Sequence, residues 1–221
     1  MTPAALLLPL ALMQASAAGA GGADRFTQCV TSIETDAARA YEEAMAWAAE
    51  AHALGGYRCA AMALIAQNRA EEGARRLESL AASLSPDRTA LHAELFSQAG
   101  NAWLIARNPA QATSALTRAI TTVQSDPTQL PDLLVDRARA YAMERDWRKA
   151  EEDLSRALDI RASDALALRL RATARMHQNS FDLAEADALR AAAIEPANVD
   201  NFLVLGHVRE SRRLGAPVEE Q

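Results

Sequence analysis

The two cysteines are the residues of this sequence that are best placed for covalent chemistry. Cys29 and Cys59 make an even count, which in an oxidising compartment favours a disulfide between them. The competing interpretation is that both are small buried hydrophobic side chains. We favour the disulfide because we expect the chain to be exported to such a compartment. The bond would link the N-terminal helices, where we expect helix packing to be weakest.

The remaining polar side chains form no recognisable catalytic or metal-binding pattern. The sequence contains no HExxH, CxxCH, GxSxG or phosphate-loop motif. The histidines have no companion at ligand spacing, and they are His52, His92, His177 and His207. Adjacent acids such as Glu151 and Glu152 would point to different helix faces, so they do not make a general acid–base pair. We therefore expect no enzymatic activity and no cofactor.

The net charge and the amino-acid composition limit the partners and the fold that this chain is expected to have. The net charge of −6 and the pI near 5.3 argue against nucleic acids and anionic membranes as partners, because these need a basic surface. Basic and acidic residues are interleaved between Pro131 and Gln178, which is typical of solvated helix faces. Half of the chain is apolar and alanine dominates that half, which favours helix.

The segment 1–17 resembles a signal peptide. Its apolar stretch, positions 4–13, is too short to span a bilayer, and Ala15-Ser16-Ala17 fits an A-x-A cleavage site. We therefore expect a bacterial chain that is periplasmic or secreted, with a flexible N-terminus at residues 18–24. We expect no membrane span in the mature chain.

An internal repeat, with a period of about 34 residues, is the strongest signal in the sequence. Bulky and small residues from Leu134 onward recur from Leu168 onward. The first set is Leu134, Ala138, Tyr141, Trp147, Ala150, Leu154 and Ala157, and the second is Leu168, Ala172, Arg175, Phe181, Ala184, Ala188 and Ala191. Two earlier units precede these at slightly longer spacings, as from Ala61 to Gly100 and from Gly100 to Ala138. Apolar residues at spacings of three and four around a short break predict two helices per unit.

This order of bulky, small, aromatic and alanine positions resembles the tetratricopeptide repeat (TPR) family over roughly residues 54–214. The resemblance implies an all-α fold, a right-handed α-solenoid of antiparallel helix pairs. Arg137 and Arg171 stand where the family usually has leucine, and Arg175 replaces an aromatic residue. We expect these arginines to bury their stems and to keep their charged heads in water.

The repeat divides the chain into consecutive segments. These are a degenerate first helical unit (25–53), a degenerate TPR-like unit (54–92), a TPR-like unit with an insertion (93–130), two regular TPR units (131–164 and 165–198), a capping helix (199–214) and a tail (215–221). Stacking of neighbouring units is required, because one unit cannot bury its own apolar face.

A repeat array of this kind offers a concave surface lined by the first helix of each unit. The residues that point away from the partner helix are Ser97, Asn101, Leu104, Val135, Arg139, Ala142, Arg169, Thr173, Met176, Leu203 and His207. This mixture suits an extended or helical peptide, with Arg139 and Arg169 pairing to its carboxylates. The family's clamp for chaperone tails needs basic residues where Ser97 and Val135 stand, which argues against that clamp.

The sequence therefore predicts a non-catalytic scaffold that binds a protein or peptide partner in this surface. Two alternatives stay open. One is a structural or assembly factor for cell-envelope complexes, which differs only in the partner. The other is an enzyme with a helical solenoid body, which would need a reactive cluster that the sequence does not contain.

Overall fold

The computed structural model describes residues 10–85, 87–123, 126 and 128–218, and in this part the chain forms α-helices and no strand. The helices are α1 (Leu10–Thr35), α2 (Ala37–Ala51), α3 (Leu54–Ala66), α4 (Ala70–Ala82), α5 (Thr89–Ile105), α6 (Pro109–Val123), α7 (Leu130–Met143), α8 (Trp147–Ile160), α9 (Ala165–His177), α10 (Phe181–Ile194) and α11 (Val199–Leu214). The predicted all-α fold is confirmed. None of the helices in these ranges has the length and hydropathy needed to cross a bilayer.

The N-terminal helix α1 covers part of the sequence for which we predicted a flexible segment. Residues 18–24 lie within α1. Residues 1–9 of the predicted leader lie outside the described residues, as do residues 219–221 of the predicted tail.

The chain divides into two compact units, Met1–Leu80 and Ala81–Gln221. In the first unit, α1 packs against α2 and α3, and α2 packs against α3. In the second unit, the helices form the consecutive pairs α5–α6, α7–α8 and α9–α10, and α11 packs against α9 and α10. Successive pairs stack, because α6 contacts α7 and α8 contacts α9.

The first unit contains the predicted disulfide. Cys29 of α1 is bonded to Cys59 of α3, with 6.3 Å between the Cα atoms. Cys59 is fully buried beside Ala44, and Phe26 and Ile33 of α1 pack against the same cluster. No free cysteine occurs among the residues that the structure describes. The bond and the apolar cluster together hold α1 onto this unit.

The repeat positions form the core of the second unit. Leu134 and Leu168 are fully buried, and Ala138 and Ala172, one turn later, are buried as well. Gly100 is their small counterpart in α5, and a Cβ atom there would lie 2.5 Å from Leu116 Cγ of α6. Small residues at this position therefore allow the two helices of a pair to approach each other, as the sequence predicted.

A turn of the same geometry precedes the second helix of each repeat. Its left-handed residue has φ between 55° and 61°, and the residues are Asn68, Arg107, Arg145 and Asn179. The next N–H donates to the carbonyl five residues earlier, for example from Asn108 to Trp103 at 2.9 Å. This is the hydrogen bond of a Schellman motif, which satisfies carbonyls at a helix end.

We expect Arg107→Gly to raise the free energy of unfolding by about 0.5–1 kcal/mol. A left-handed conformation costs a non-glycine residue roughly 1–2 kcal/mol, and the greater unfolded-state entropy of glycine offsets part of the gain. Arg107 is exposed, so little packing is lost. The measurement is urea unfolding, with Ala106→Gly (φ −70°) as the neighbouring control, which should lower stability. Similar losses in both variants would contradict this account of the turn.

The arginines that depart from the TPR pattern are largely buried. Arg137 donates from Nε and Nη2 to the carboxylate of Asp153, at 2.7 and 2.8 Å. Arg171 and Asp187 form the same bidentate pair in the next repeat, at 2.8 and 2.9 Å. The stems are buried as expected, and the guanidinium groups are bound to carboxylates while 13% of each side chain stays exposed. A buried charge needs a partner, and carboxylates on α8 and α10 take the place of water.

These ion pairs also connect successive helix pairs. Arg137 Nη1 donates to Thr117 Oγ1 of α6 at 3.0 Å, and Arg171 Nη1 donates to Ser155 Oγ of α8 at 3.1 Å. Each arginine thus joins the second helix of the preceding pair to the second helix of its own pair. The hydrogen bonds to Asp153 raise the pKa of Arg137 above its ordinary value.

Candidate peptide-binding groove

The first helices α7, α9 and α11 line a cleft of about 940 Å³. Six of the side chains predicted for the concave surface line it, and they are Arg139, Ala142, Arg169, Thr173, Leu203 and His207. The helices lie side by side, because α7 contacts α9 and α9 contacts α11. The repeat register therefore placed residues that are distant in sequence on one wall.

A second cleft of about 350 Å³ adjoins the first. It is lined by Asn101, Leu104 and Ile105 of α5 and by Arg139 and Met143 of α7. Arg139 and Met143 border both clefts. The two clefts together, from α5 to α11, are called the groove below.

Three residues predicted for this surface do not line the groove. Met176 is 1% exposed and packs with Ala184 of α10 and Val208 of α11, and Val135 is buried. Ser97 is half-buried and lines neither cleft. Val135 and Met176 are therefore not part of the exposed wall of the groove. The helix α11 packs directly against α9, and this contact covers Met176 near the C-terminal end of α9.

Several residues of the larger cleft were not predicted. They are Met143, Trp147, Leu170, Asp200, Val204 and Val218. The ring of Trp147 stacks on His177, with 4.0 Å between the ring centroids, so a tryptophan at the start of α8 is held at the groove edge. Trp147 comes directly after the turn that follows α7, and this position in the sequence could have indicated that it borders the groove.

The residue Val218 reaches the groove through a turn after α11. Gly215 ends the helix in the left-handed conformation, with φ 71°. The N–H of Val218 then donates to Ser211 Oγ at 2.9 Å, which folds this segment back along α11. These residues lie after the last repeat unit, so the spacing of the repeat could not predict their position.

The cation that is most accessible in the groove is Arg139. Its guanidinium Nη1 donates to Asp136 Oδ1 at 3.2 Å, and its side chain is half-exposed. Asn101 Nδ2 donates to the other oxygen of the same carboxylate at 2.8 Å. Because a guanidinium has five N–H groups, Arg139 can bind a ligand carboxylate while it keeps its contact with Asp136.

The second groove arginine, Arg169, is held more tightly by its own chain. Arg169 Nη1 donates to Asp200 Oδ2 of α11 at 2.8 Å and lies 3.5 Å from Asn198 Oδ1. Its side chain is largely buried, whereas that of Asp200 is exposed. We infer that Arg169 mainly fixes α11 against α9, whereas Arg139 is the more exposed positive charge in the groove.

The groove is suited to recognition. Its wall combines the guanidinium of Arg139 with apolar groups such as Leu203 and Val204. Across the part of the chain that the structure describes, no three His, Cys, Asp or Glu side chains lie close enough to hold a metal ion. The arrangement can therefore orient a ligand through a charged hydrogen bond and bury its apolar side chains.

Comparison with known proteins identifies the fold. No family model matches the chain, and no curated protein matches its sequence. The first TPR domain of human RPAP3 matches with a TM-score of 0.52 and 24% identity, over 56% of this chain and 94% of that domain. A chain of the APC/C hetero-tetramer Cut9–Hcn1 matches with a TM-score of 0.50 and 12% identity, over 79% of this chain and 40% of that chain. At these identities the likeness shows the fold alone, an all-α array of TPR-like helix pairs.

Proposed function

We propose that this chain is a non-catalytic protein-interaction module that binds a peptide or a peptide-like segment of a partner protein in the groove. The observation that supports this most is the placement of six predicted surface residues, from three successive first helices, around one cleft. A cleft of about 940 Å³ has the size of known ligand pockets and can take several side chains.

The groove favours a ligand with an acidic residue beside apolar ones. Arg139 would pair with the carboxylate, since its guanidinium is half-exposed and has further N–H groups beyond the one bound to Asp136. Leu203 and Val204 would contact the neighbouring apolar side chains. Arg169 would contribute mainly by keeping α9 and α11 in place.

Selection of peptides on the full-length chain tests this proposal. A random-sequence peptide library displayed on phage supplies a ligand, and calorimetric titration then compares two variants. Leu203 lines the groove and Leu183 lies on α10 outside it, and both side chains are 54% exposed. We expect Leu203→Asp to weaken binding at least tenfold, or about 1.4 kcal/mol, because it places a charge on the apolar wall. Leu183→Asp should leave the affinity unchanged.

Equal effects of the two aspartates would contradict groove binding. Such a result would mean that the added charge acts on the chain as a whole and not on the cleft. A circular dichroism spectrum of each variant confirms that the helices are intact before the affinities are compared.

The location of the chain is part of the proposal. Residues 1–17 have the features of a leader, and disulfides such as Cys29–Cys59 persist in oxidising compartments, which together support a periplasmic or secreted protein of a bacterium. Material recovered from the periplasm should begin near residue 18 by N-terminal sequencing. Material that retains Met1 would contradict export through this leader.

A further inference from the structure

The outer stripe of α11 exposes side chains that the other first helices of the second unit bury. This stripe consists of Val199, Phe202, Gly206 and Arg209, and its counterparts one repeat earlier, in α9, are Ala165, Leu168, Ala172 and Arg175. Phe202 is 48% exposed, whereas Leu168 is fully buried because α10 packs on that face. The same holds for Val199, which is exposed, and Ala165, which is buried.

The space above the outer stripe is open. A Cβ atom on Gly206 would meet no heavy atom within 4 Å, whereas one on Gly100, its counterpart in α5, would clash with Leu116 of α6. No helix of the described ranges covers this stripe. The helix α11 is thus built as the first helix of a repeat, and the second helix of that repeat is not among the described residues.

Arg209 indicates which charge a helix packed on the outer stripe would need to carry. In α9, Arg175 donates to Glu151 of the preceding second helix and to Asp187 of its own second helix, both at 2.7 Å. Arg209 repeats the first contact, because it donates at 2.7 Å to Glu185, which is the counterpart of Glu151 in the next repeat.

The contact that Arg175 makes with Asp187 has no counterpart for Arg209 among the described residues. The Arg209 side chain is accordingly 56% exposed, against 15% for Arg175. An acidic side chain in the position of Asp187 would therefore complete the same arrangement around Arg209.

We propose that the outer stripe docks an amphipathic helix of a partner protein that has the chemistry of this chain's own second helices. Such a helix has an alanine-rich face and one acidic residue. The interface between α9 and α10 gives the template, since Ala172 packs against Ala188 there and Arg175 pairs with Asp187. Gly206 would let the helix axis approach closely, and the docked helix would cover Phe202. This surface is separate from the groove, which Leu203 lines.

A peptide with the sequence of residues 180–195, SFDLAEADALRAAAIE, is a suitable probe because in the chain it covers α9. A staple between the exposed positions 186 and 190 would reduce the cost of ordering it as a helix. Fluorescence anisotropy with the full-length chain should show saturable binding. We expect Phe202→Glu, and independently Gly206→Leu, to weaken this binding at least tenfold.

Matched controls separate the stripe from general charge effects. Leu189→Glu adds the same charge to an exposed leucine of α10 and should leave the affinity unchanged. In the peptide, Asp187→Asn should weaken binding at least fivefold, whereas Asp182→Asn, which removes the same charge elsewhere, should not.

Two results would overturn the proposal. One is the absence of saturable binding, or binding that survives Phe202→Glu. The other is self-association of the chain in sedimentation without peptide that is lost on Phe202→Glu, since this would assign the stripe to a second copy.

Discussion

Replacement of Asp153 by alanine is expected to lower the free energy of unfolding by about 3–5 kcal/mol, as for other buried ion pairs that lose one partner. Arg137 would keep its largely buried place between α6 and α8 without the carboxylate that accepts two of its N–H groups. Rearrangement into water is hindered, because the same guanidinium also donates to Thr117. Urea unfolding followed by circular dichroism measures the loss.

The chain itself contains a neutral version of this pair. Ala99 and Ala115 hold the places of Arg137 and Asp153 in the preceding repeat, and both are fully buried in the α5–α6 pair. We therefore expect Arg137→Leu combined with Asp153→Ala to be more stable than Asp153→Ala alone, with a coupling energy of about 2–3 kcal/mol. Simple addition of the two single effects would contradict the view that the cost arises from an unpaired buried charge.

Reduction of the Cys29–Cys59 disulfide is expected to lower the free energy of unfolding of the first unit by about 3–4 kcal/mol, the value that the chain-entropy model gives for a loop of this length. The two cysteines are separated by 30 positions in the sequence. Comparing oxidised and reduced wild type is cleaner than serine substitution, because Cys59 is fully buried and a hydroxyl there would need a hydrogen-bond partner.

Hydrogen exchange locates this effect in the chain. Amides of α1 and α3, which the disulfide joins, should lose protection when it is reduced. Thiol titration of unfolded, non-reduced protein should find no reactive thiol. Equal unfolding free energies with and without reductant would contradict a stabilising role for the bond.

The helix pairs and the core of the second unit could be predicted from the sequence because apolar and small residues recur in register. Leu134 and Leu168 are buried at equivalent places, and Gly100 lies against Leu116 as a small residue at a helix contact must. The same register placed Arg139, Thr173 and Leu203 around one cleft. Periodicity of this kind specifies which face of a helix points toward its partner.

The buried ion pairs could not be found from the register of apolar residues alone. Asp153 and Asp187 occupy helix positions that also occur on solvated faces, and their role depends on the arginines that face them from α7 and α9. The identical spacing from Arg137 to Asp153 and from Arg171 to Asp187 is a signal that could have revealed them. A repeated pair of opposite charges indicates contact more strongly than either charge alone.

The exact lining of the groove depends on features that periodicity does not describe. Met176 is covered because α11 packs closely on α9, and Val218 reaches the cleft through a turn after the last helix. Both depend on distances between elements. Spacing along one helix cannot supply such distances.

Chemical-shift mapping measures groove binding most directly, with a phage-selected peptide added to the ¹⁵N-labelled full-length chain. The proposed function predicts that the largest amide shifts fall on the groove, at Arg139, Thr173 and Leu203, and that they saturate with the calorimetric affinity. Unchanged amides at these three residues, with the largest shifts in the first unit or on the outer stripe of α11, would contradict it.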